Sequence, residues 1–291
     1  MFKGSMVALV TPFKDGALDE QAVRKLVDFQ IAGGTSALVP CGTTGESATL
    51  SHQEHDTMVE TVIDAAKKRI PVIAGSGSNN TAEAVRLTKH AKEAGADAAL
   101  LISPYYNKPT QKGIYLHYKA IAEAVDIPLI IYNIASRTGI NIEPDTFAAL
   151  SKVKNIVGVK EASGNIDQMT WIVKKSVQRF FLISGDDALT LPVLSIGGTG
   201  VISVVANIVP KDVAAMVEHF SAGRIEEARA LHYKLCGLVK SMFIETNPIP
   251  VKTAMGMMKM IDPELRLPLC SMEEENVKKL KTALEEYGLL K

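Results

Sequence analysis

Residues 156–161 read Ile156-Val157-Gly158-Val159-Lys160-Glu161, an apolar run that ends in a charged pair. The run is unbroken rather than alternating, which is typical of a parallel β-strand covered on both faces. A long charged side chain at its end either reaches solvent or takes part in chemistry. The stretch therefore predicts a buried parallel strand that carries Lys160 to its carboxyl end.

Similar short apolar runs recur along the first three-quarters of the chain. They are Met6–Val10, Ala37–Pro40, Val72–Ala74, Ala98–Ile102, Leu129–Tyr132, Phe181–Ser184 and Val201–Val204. Helical patterns lie between them, and the spacing of about 30 residues matches a βαβ unit. Eight such units predict an α/β protein with a (β/α)8 TIM barrel, a fold of about 250 residues. The alternative is an open doubly wound sheet, but its usual Gly-x-Gly-x-x-Gly turn is replaced after the first strand by Thr11-Pro12-Phe13.

The pattern changes after the eighth run. From about Arg224 onward only helical periodicity remains, over Ile225–Phe243, Pro250–Met260 and Glu273–Tyr287. No flexible linker precedes it, so we expect a helical extension that is docked rather than tethered. The predicted domains are residues 1–223, a catalytic barrel, and residues 224–291, an all-helical C-terminal domain.

Composition excludes several classes of function. The 291 residues include 32 Lys plus Arg and 32 Asp plus Glu, for a net charge of zero; we therefore expect no nucleic-acid partner. No apolar stretch approaches the ~18–20 residues that span a bilayer, so we expect no membrane association. Three distant cysteines and no signal-peptide pattern predict a cytoplasmic protein. The six histidines and three cysteines show no ligand spacing, so we expect no metal site.

Reactive side chains collect at the predicted carboxyl ends of the strands, where TIM barrels place their active sites. Lys160 reads either as a solvent-reaching lysine or as a Schiff-base lysine whose pKa falls on burial. Tyr132 ends the preceding strand and would lie about 5 Å away along the sheet. A phenol there either caps the core or moves protons during imine formation; its adjacency to Lys160 favours the second interpretation.

Two further segments offer anion-binding groups. Gly42–Ser47 presents consecutive backbone N–H groups that form either a plain turn or a nest for a small carboxylate. Arg137, just past Tyr132, is either a solvated loop residue or a second carboxylate ligand. His52 and His55 share one face at the start of a helix, which by itself indicates an ordinary solvated helix terminus.

Several motifs stand in a specific order and spacing. They are Gly42-Thr43-Thr44-Gly45-Glu46, Tyr105-Tyr106-Asn107, Tyr132-Asn133, Gly158-Val159-Lys160-Glu161-Ala162-Ser163-Gly164, Asn247-Pro248-Ile249-Pro250-Val251-Lys252 and Leu265-Arg266-Leu267-Pro268. Together they closely resemble the dihydrodipicolinate synthase family, the 4-hydroxy-tetrahydrodipicolinate synthases. The resemblance runs essentially from end to end.

The resemblance implies a mechanism without a cofactor. Lys160 would form a covalent imine with pyruvate, whose enamine would add to L-aspartate 4-semialdehyde in the diaminopimelate route to lysine. Tyr132 would move protons through Thr43 to Tyr106, the last supplied by a neighbouring subunit. The substrate-binding residues it implies are Thr44, Ile202, Gly185 and Arg137, the last for the carboxylate of the aldehyde.

The resemblance also implies regulation and assembly. Members inhibited by L-lysine bind it in a cleft at the dimer interface, and this chain matches those positions. The matching residues are Ser47, Ala48, His52, His55, Asn79, Glu83 and Tyr105. We therefore expect feedback inhibition by L-lysine and a homotetramer built as a dimer of dimers.

One position departs from the family. Ala135 stands where Pro is usual, which frees φ and restores an N–H. We hypothesise a less rigid Arg137 loop and weaker holding of the aldehyde.

Two alternatives remain open at this point. One is another Schiff-base aldolase, such as N-acetylneuraminate lyase or a 2-keto-3-deoxy-sugar-acid aldolase. The other is a non-catalytic binding module, which would not need the four residues Lys160, Tyr132, Thr43 and Tyr106 together.

Overall fold

A computed structural model of the chain describes residues 2–290. The strands are β1 (Gly4–Ala8), β2 (Phe13–Lys14), β3 (Ala17–Leu18), β4 (Ala37–Val39), β5 (Ile73–Gly75), β6 (Ala98–Ile102), β7 (Leu129–Asn133), β8 (Ile156–Glu161), β9 (Phe181–Ser184) and β10 (Gly200–Ser203). The helices are α1 (Glu20–Ala32), α2 (His52–Ala66), α3 (Thr81–Ala94), α4 (Gln111–Ala124), α5 (Ala135–Thr138), α6 (Pro144–Leu150), α7 (Ile166–Lys175), α8 (Thr190–Ser195), α9 (Pro210–Ser221), α10 (Ile225–Ser241), α11 (Ile249–Met257) and α12 (Glu274–Tyr287).

The order of these elements is that of a TIM barrel. Among residues 2–290, eight strands pair in parallel, and each is followed along the chain by a helix. Between β1 and its helix α1, β2 and β3 form a small antiparallel hairpin. Helices α10 to α12 follow, and up to residue 290 no strand comes after β10. The predicted fold class, a (β/α)8 barrel with a helical C-terminal extension, is confirmed.

The chain divides into two compact units. One comprises Val72–Ile202 with the described residues up to Lys3, and the other comprises Gly4–Pro71 with the chain from Ser203 onward. The division into residues 1–223 and 224–291 stays a prediction.

In the first unit, β5 to β9 pair in parallel in chain order, and β10 continues the series beside β9. The unbroken apolar runs make this possible, because helices cover a parallel sheet and both faces of each strand are buried. Tyr118 and Phe147 are fully buried in the core beneath α4 and α6.

In the second unit, β1 pairs in parallel with β4, and α1 contacts α2. The side chain of Asn207 ties β1 to the segment before α9: it donates to the carbonyl of Ala8 at 2.8 Å and accepts from the N–H of Val10 at 3.2 Å. Helix α10 contacts α9 and α12, and α11 contacts α12. The helices of the C-terminal extension therefore share one packed body with β1 and β4.

Within residues 2–290, no helix is both long and apolar enough to cross a membrane. The same residues contain no group of three or more His, Cys, Asp or Glu side chains placed to hold a metal ion. The cytoplasmic location stays a prediction.

Candidate active site

Lys160 and Tyr132 occupy matching positions on neighbouring strands. Each is the last residue but one of its strand, and the two are paired in register between β8 and β7. The Lys160 amine lies 4.0 Å from the centroid of the Tyr132 ring. Both residues are buried, at 6% and 5% exposure. The adjacency expected from the sequence is present.

Burial changes the acid–base chemistry of Lys160. Desolvation lowers the pKa of its amine from 10.5 to about 7; the carboxylate of Asp187 opposes this shift and the guanidinium of Arg137 adds to it. A substantial fraction of the amine is therefore neutral near pH 7. A neutral amine is the form that attacks a carbonyl carbon.

Gly185 provides room for the Lys160 side chain. A Cβ at this position would lie 3.1 Å from both Cγ and Cε of Lys160 and 2.9 Å from the Cβ of Ala162. The Gly185 N–H donates to the carbonyl of Glu161 at 2.8 Å, which holds the backbone close. A side chain at position 185 would therefore crowd both Ala162 and Lys160.

A buried polar network lies directly behind this pair, and sequence reasoning missed it. The fully buried Glu161 carboxylate accepts from the side-chain amides of Asn133 (2.7 Å) and Gln168 (2.9 Å). Its other oxygen accepts from the N–H and hydroxyl of Ser163 at 2.9 and 2.8 Å. Asn141 completes the network, since it bonds to both Asn133 and Gln168. The network fixes the residues that follow Tyr132 and Lys160, Asn133 and Glu161, which are themselves paired in register.

Arg137 lies in the short helix α5, whose ends are held by hydrogen bonds. The carbonyl of Ile134 accepts from the N–H groups of Arg137 and Thr138 at 3.1 Å, and the Gly139 N–H closes the turn on Ala135 at 2.9 Å. The guanidinium is exposed at this end of the unit and acts on the Lys160 amine through its charge. A second cation beside the amine can receive a substrate carboxylate.

Ile202 and Tyr106, two other predicted site residues, also lie in the first unit. Ile202 is buried in β10 at 1% exposure. Tyr106 is 88% exposed and has a positive φ of 69°, in the loop after β6. This exposure leaves the phenol accessible from outside its own chain.

Three of the predicted effector residues come together beside Tyr106. The Asn79 side chain donates to the carbonyl of Tyr105 at 3.2 Å, and the Asn107 side chain donates to the carbonyl of Asn79 at 2.9 Å. Burial, and secondarily the carboxylate of Glu83, raises the pKa of the Tyr105 phenol. Glu83 also accepts from the Ser78 hydroxyl. An amide, a carboxylate and a phenol thus share one neighbourhood.

The predicted residues Thr43 and Thr44 lie in the second unit, in the turn after β4. Within this turn the Gly45 and Glu46 N–H groups donate to the carbonyls of Gly42 and Thr43, both at 3.1 Å. The Asn247 side chain donates to the Thr44 hydroxyl at 3.0 Å, and the Thr44 residue is 2% exposed. The turn is therefore a defined structure with a fixed threonine hydroxyl.

A charged group behind this turn was not predicted. The Lys252 amine lies 2.6 Å from the Glu46 carboxylate, and both side chains are fully buried. Burial lowers the pKa of Lys252, and Glu46 opposes the shift. The only local signal is a single Lys within the apolar sequence Ile249–Met255.

The other predicted effector residues follow the same turn. Ser47 and Ala48 lie in a single 3-10 turn, and α2 begins at His52. A capping box of Ser51 and Glu54 closes this terminus. His52 is exposed, whereas His55 is buried at 6% exposure.

Comparison with known proteins settles the family. A family model described as the dihydrodipicolinate synthetase family matches residues 1–287. A 4-hydroxy-tetrahydrodipicolinate synthase of Syntrophus aciditrophicus is 58% identical over 290 residues, which is 100% of both chains. The chain belongs to the dihydrodipicolinate synthetase family.

Solved structures of this family superpose closely on the chain. A dihydrodipicolinate synthase from Acinetobacter baumannii, complexed with pyruvate, is 45% identical with a TM-score of 0.98, and all of both chains is covered. A dihydrodipicolinate synthase from Cyanidioschyzon merolae with lysine bound is 41% identical with a TM-score of 0.96 and covers 99% of both chains. As a member of this family the chain is an enzyme, a lyase of the 4-hydroxy-tetrahydrodipicolinate synthase type.

Proposed function

We propose that the chain condenses pyruvate with L-aspartate 4-semialdehyde through an imine on Lys160, without a cofactor, as a step of lysine biosynthesis. The observation that carries the proposal is the buried Lys160 amine, with its pKa lowered to about 7, 4.0 Å from the Tyr132 ring. The relative from Acinetobacter baumannii, which is complexed with pyruvate, supports the choice of substrate.

In this reaction the neutral Lys160 amine attacks the ketone carbon of pyruvate. The carbinolamine loses water to give the imine, and loss of a methyl proton gives an enamine that adds to the aldehyde carbon. Tyr132 gives and takes the protons, with Thr43 and the partner subunit's Tyr106 as the relay. Thr44 and the backbone at Ile202 and Gly185 bind pyruvate, and Arg137 binds the carboxylate of the aldehyde.

Borohydride trapping tests the first covalent step. Incubation with pyruvate and borohydride should attach a reduced pyruvate adduct to the peptide that contains Lys160. The Lys160→Arg variant should form none, while Lys175→Arg, which changes an exposed lysine, should react like the parent. An adduct on another lysine, or none on the parent, would overturn the proposal.

A coupled assay tests the second substrate. Product formation from pyruvate and aspartate semialdehyde is followed with dihydrodipicolinate reductase. A parent protein that forms the pyruvate adduct but turns over only sialic acid or a keto-deoxy sugar acid would be a different Schiff-base aldolase.

We also propose that L-lysine inhibits the enzyme at a site that includes Asn79, Glu83 and Tyr105. The lysine-bound relative from Cyanidioschyzon merolae supports this regulation. A carboxylate, an amide and a phenol suit a ligand with both an ammonium and a carboxylate group. We propose that Ser47, Ala48, His52 and His55 belong to the same site, at an interface between two subunits. We also propose that the enzyme is a homotetramer built as a dimer of dimers.

Two substitutions in helix α3 test the proposed inhibition by lysine. Glu83→Ala should abolish inhibition, because it removes the carboxylate that would meet the ligand's ammonium group. Glu93→Ala, which removes an exposed carboxylate paired with Lys89 on the same helix α3, should leave inhibition intact. Equal sensitivity of both variants would contradict the proposed site.

A further inference from the structure

The ion pair of Glu46 and Lys252 joins the turn after β4 to helix α11. One oxygen of Glu46 accepts from the Lys252 amine at 2.6 Å, and the other accepts from the backbone N–H of Arg266 at 3.2 Å. Both oxygens of the carboxylate are thus bound by groups more than 200 residues away along the chain. The Glu46 side chain has one fixed direction.

The Lys252 amine connects this carboxylate to a second support of the turn. It donates to the carbonyl of Thr11 at 2.9 Å, and the Thr11 hydroxyl donates to the carbonyl of Gly45 at 2.6 Å. The Phe13 ring completes the surroundings, with the amine 4.4 Å from its centroid. With Asn247 bonded to Thr44 at 3.0 Å, three consecutive residues of the turn are held from outside it.

The backbone of the turn needs such support. Glu46 has a φ of 51° and Cys41 a φ of 55°, so non-glycine residues in the left-handed region stand at both ends of the segment. Such conformations persist only where the surroundings impose them, and they concentrate at functional sites. A side-chain anchor at Glu46 imposes the conformation where the turn ends.

Burial of two opposite charges is a poor way to gain stability. Removing both from water costs free energy that their attraction repays only with good geometry, and apolar replacements of similar shape are often as stable. The pair is therefore better explained by the conformation that it fixes than by the stability that it adds. That conformation places the Thr43 and Thr44 side chains.

We propose that Glu46 and Lys252 are positioning residues that fix the Thr43–Thr44 turn for pyruvate. Neither touches the substrate; they act through the turn. The proposal rests on the proposed function, because it assigns the turn to pyruvate binding. Loss of the pair should weaken pyruvate binding while the fold and the binding of the aldehyde are kept.

The double variant Glu46→Gln/Lys252→Met tests this, because it removes both charges and keeps the shapes. The Tm should stay at the parent value while the KM for pyruvate rises about ten- to a hundredfold, with the KM for the aldehyde unchanged. The control is Arg24→Met/Asp64→Asn, an exposed pair between α1 and α2 in the same unit, which should change none of these quantities. A double variant with the parent KM for pyruvate would overturn the proposal.

If the double variant does not fold, the variant Glu46→Asp and a measurement of amide hydrogen exchange still test the proposal. Glu46→Asp keeps the charge but shortens the anchor, so it should raise the KM for pyruvate in the same selective way, and a parent KM would count against the proposal. Amide hydrogen exchange of residues 42–47 should accelerate in either variant relative to the rest of the chain. Hydrogen exchange does not depend on pyruvate, so it shows whether the ion pair holds the turn even if the parent protein forms no pyruvate adduct. Absence of the adduct would overturn only the proposed function, whereas unchanged exchange in both variants would overturn the positioning role of the pair.

Discussion

The carboxylates of Glu161 and Glu46 are both fully buried behind residues of the proposed site, yet they are balanced in different ways. Glu161 accepts four hydrogen bonds from neutral donors on Asn133, Gln168 and Ser163. Glu46 instead faces the cation of Lys252. One region satisfies a buried charge with dipoles, and the other satisfies it with a counter-charge.

The difference follows from what each region supports. Glu161 follows Lys160 in β8 and directs its side chain to the opposite face of the strand. The charges that shift the pKa of the Lys160 amine are those of Asp187 and Arg137. Neutral donors hold Glu161 without bringing another cation beside the amine. Thr43 and Thr44 have no titratable side chain whose pKa a neighbouring charge could shift, so a full ion pair can hold the turn that carries them.

The largest expected effect is the loss of one member of the ion pair. Lys252→Met leaves the Glu46 carboxylate buried without a cation, which should lower the free energy of unfolding by about 3–5 kcal/mol. Urea unfolding measures this. Arg24→Met, which breaks an exposed pair, should cost far less, because solvent screens the pair. Equal losses in the two variants would show that the counter-charge does not matter.

The corresponding change in the neutral network should cost less. Glu161→Gln keeps the shape but directs an NH2 group at the donors of Ser163, so one buried pairing is lost, at about 1–3 kcal/mol. The pH dependence of adduct formation on Lys160 should stay at its parent position. A shifted profile would mean that Glu161 acts on the amine by charge, and the contrast between the two regions would be lost.

The sequence predicted the Lys160 region far better than the Glu46 region. Unbroken apolar runs mark the strands, and strand order brings Tyr132 beside Lys160, because neighbours in a parallel sheet follow from chain order. The contact of Glu46 with Lys252 spans 206 residues, and no periodicity encodes which side chains meet across such a distance. The position of Lys252 within an apolar helix indicates that it is buried, but it does not predict that Glu46 is the residue it contacts.

Local signals were also missed. The hairpin of β2 and β3 is absent from the predicted elements, although Asp15-Gly16 is a typical two-residue hairpin turn. Both residues have the positive φ that such a turn requires, 53° and 80°. The polar network behind Lys160 has a weaker signal: Asn133 and Glu161 directly follow Tyr132 and Lys160, and alternation along a strand places them on its opposite face.

A smaller effect is expected from removing the charge of Asp187, which shifts the pKa of Lys160. The Asp187 carboxylate favours the charged amine and so raises its pKa, against the larger lowering by burial. Asp187→Asn removes this support for the ammonium, so the pKa should fall below about 7 and adduct formation should persist to lower pH. The measurement is the rate of borohydride-trapped adduct against pH. Asp186→Asn is the matched control, and a shift toward higher pH in Asp187→Asn would contradict the assignment.

The smallest expected effect concerns Ala135, in the segment that connects β7 to β8. Ala135 begins α5, and the preceding Ile134 has φ −147° and ψ 81°, outside the α region that is disfavoured for a residue before proline. Proline is also tolerated at the first position of a helix, where the N–H needs no intrahelical partner. Ala135→Pro should therefore raise the free energy of unfolding by about 0.4–1 kcal/mol, through the unfolded chain.

The same substitution decides whether the Arg137 loop limits binding of the aldehyde. A loop that is already closed by the hydrogen bonds to Ile134 and Ala135 would gain stability on substitution without any change in the KM for the aldehyde. A loop that still moves about Ala135 would bind the aldehyde more tightly once proline fixes φ. The ratio of the two KM values in the parent and the variant distinguishes these cases, because pyruvate does not depend on Arg137 in the proposed mechanism. An unchanged KM for the aldehyde would remove Ala135 as a cause of weak binding and leave the hydrogen bonds of α5 as the sufficient support for Arg137.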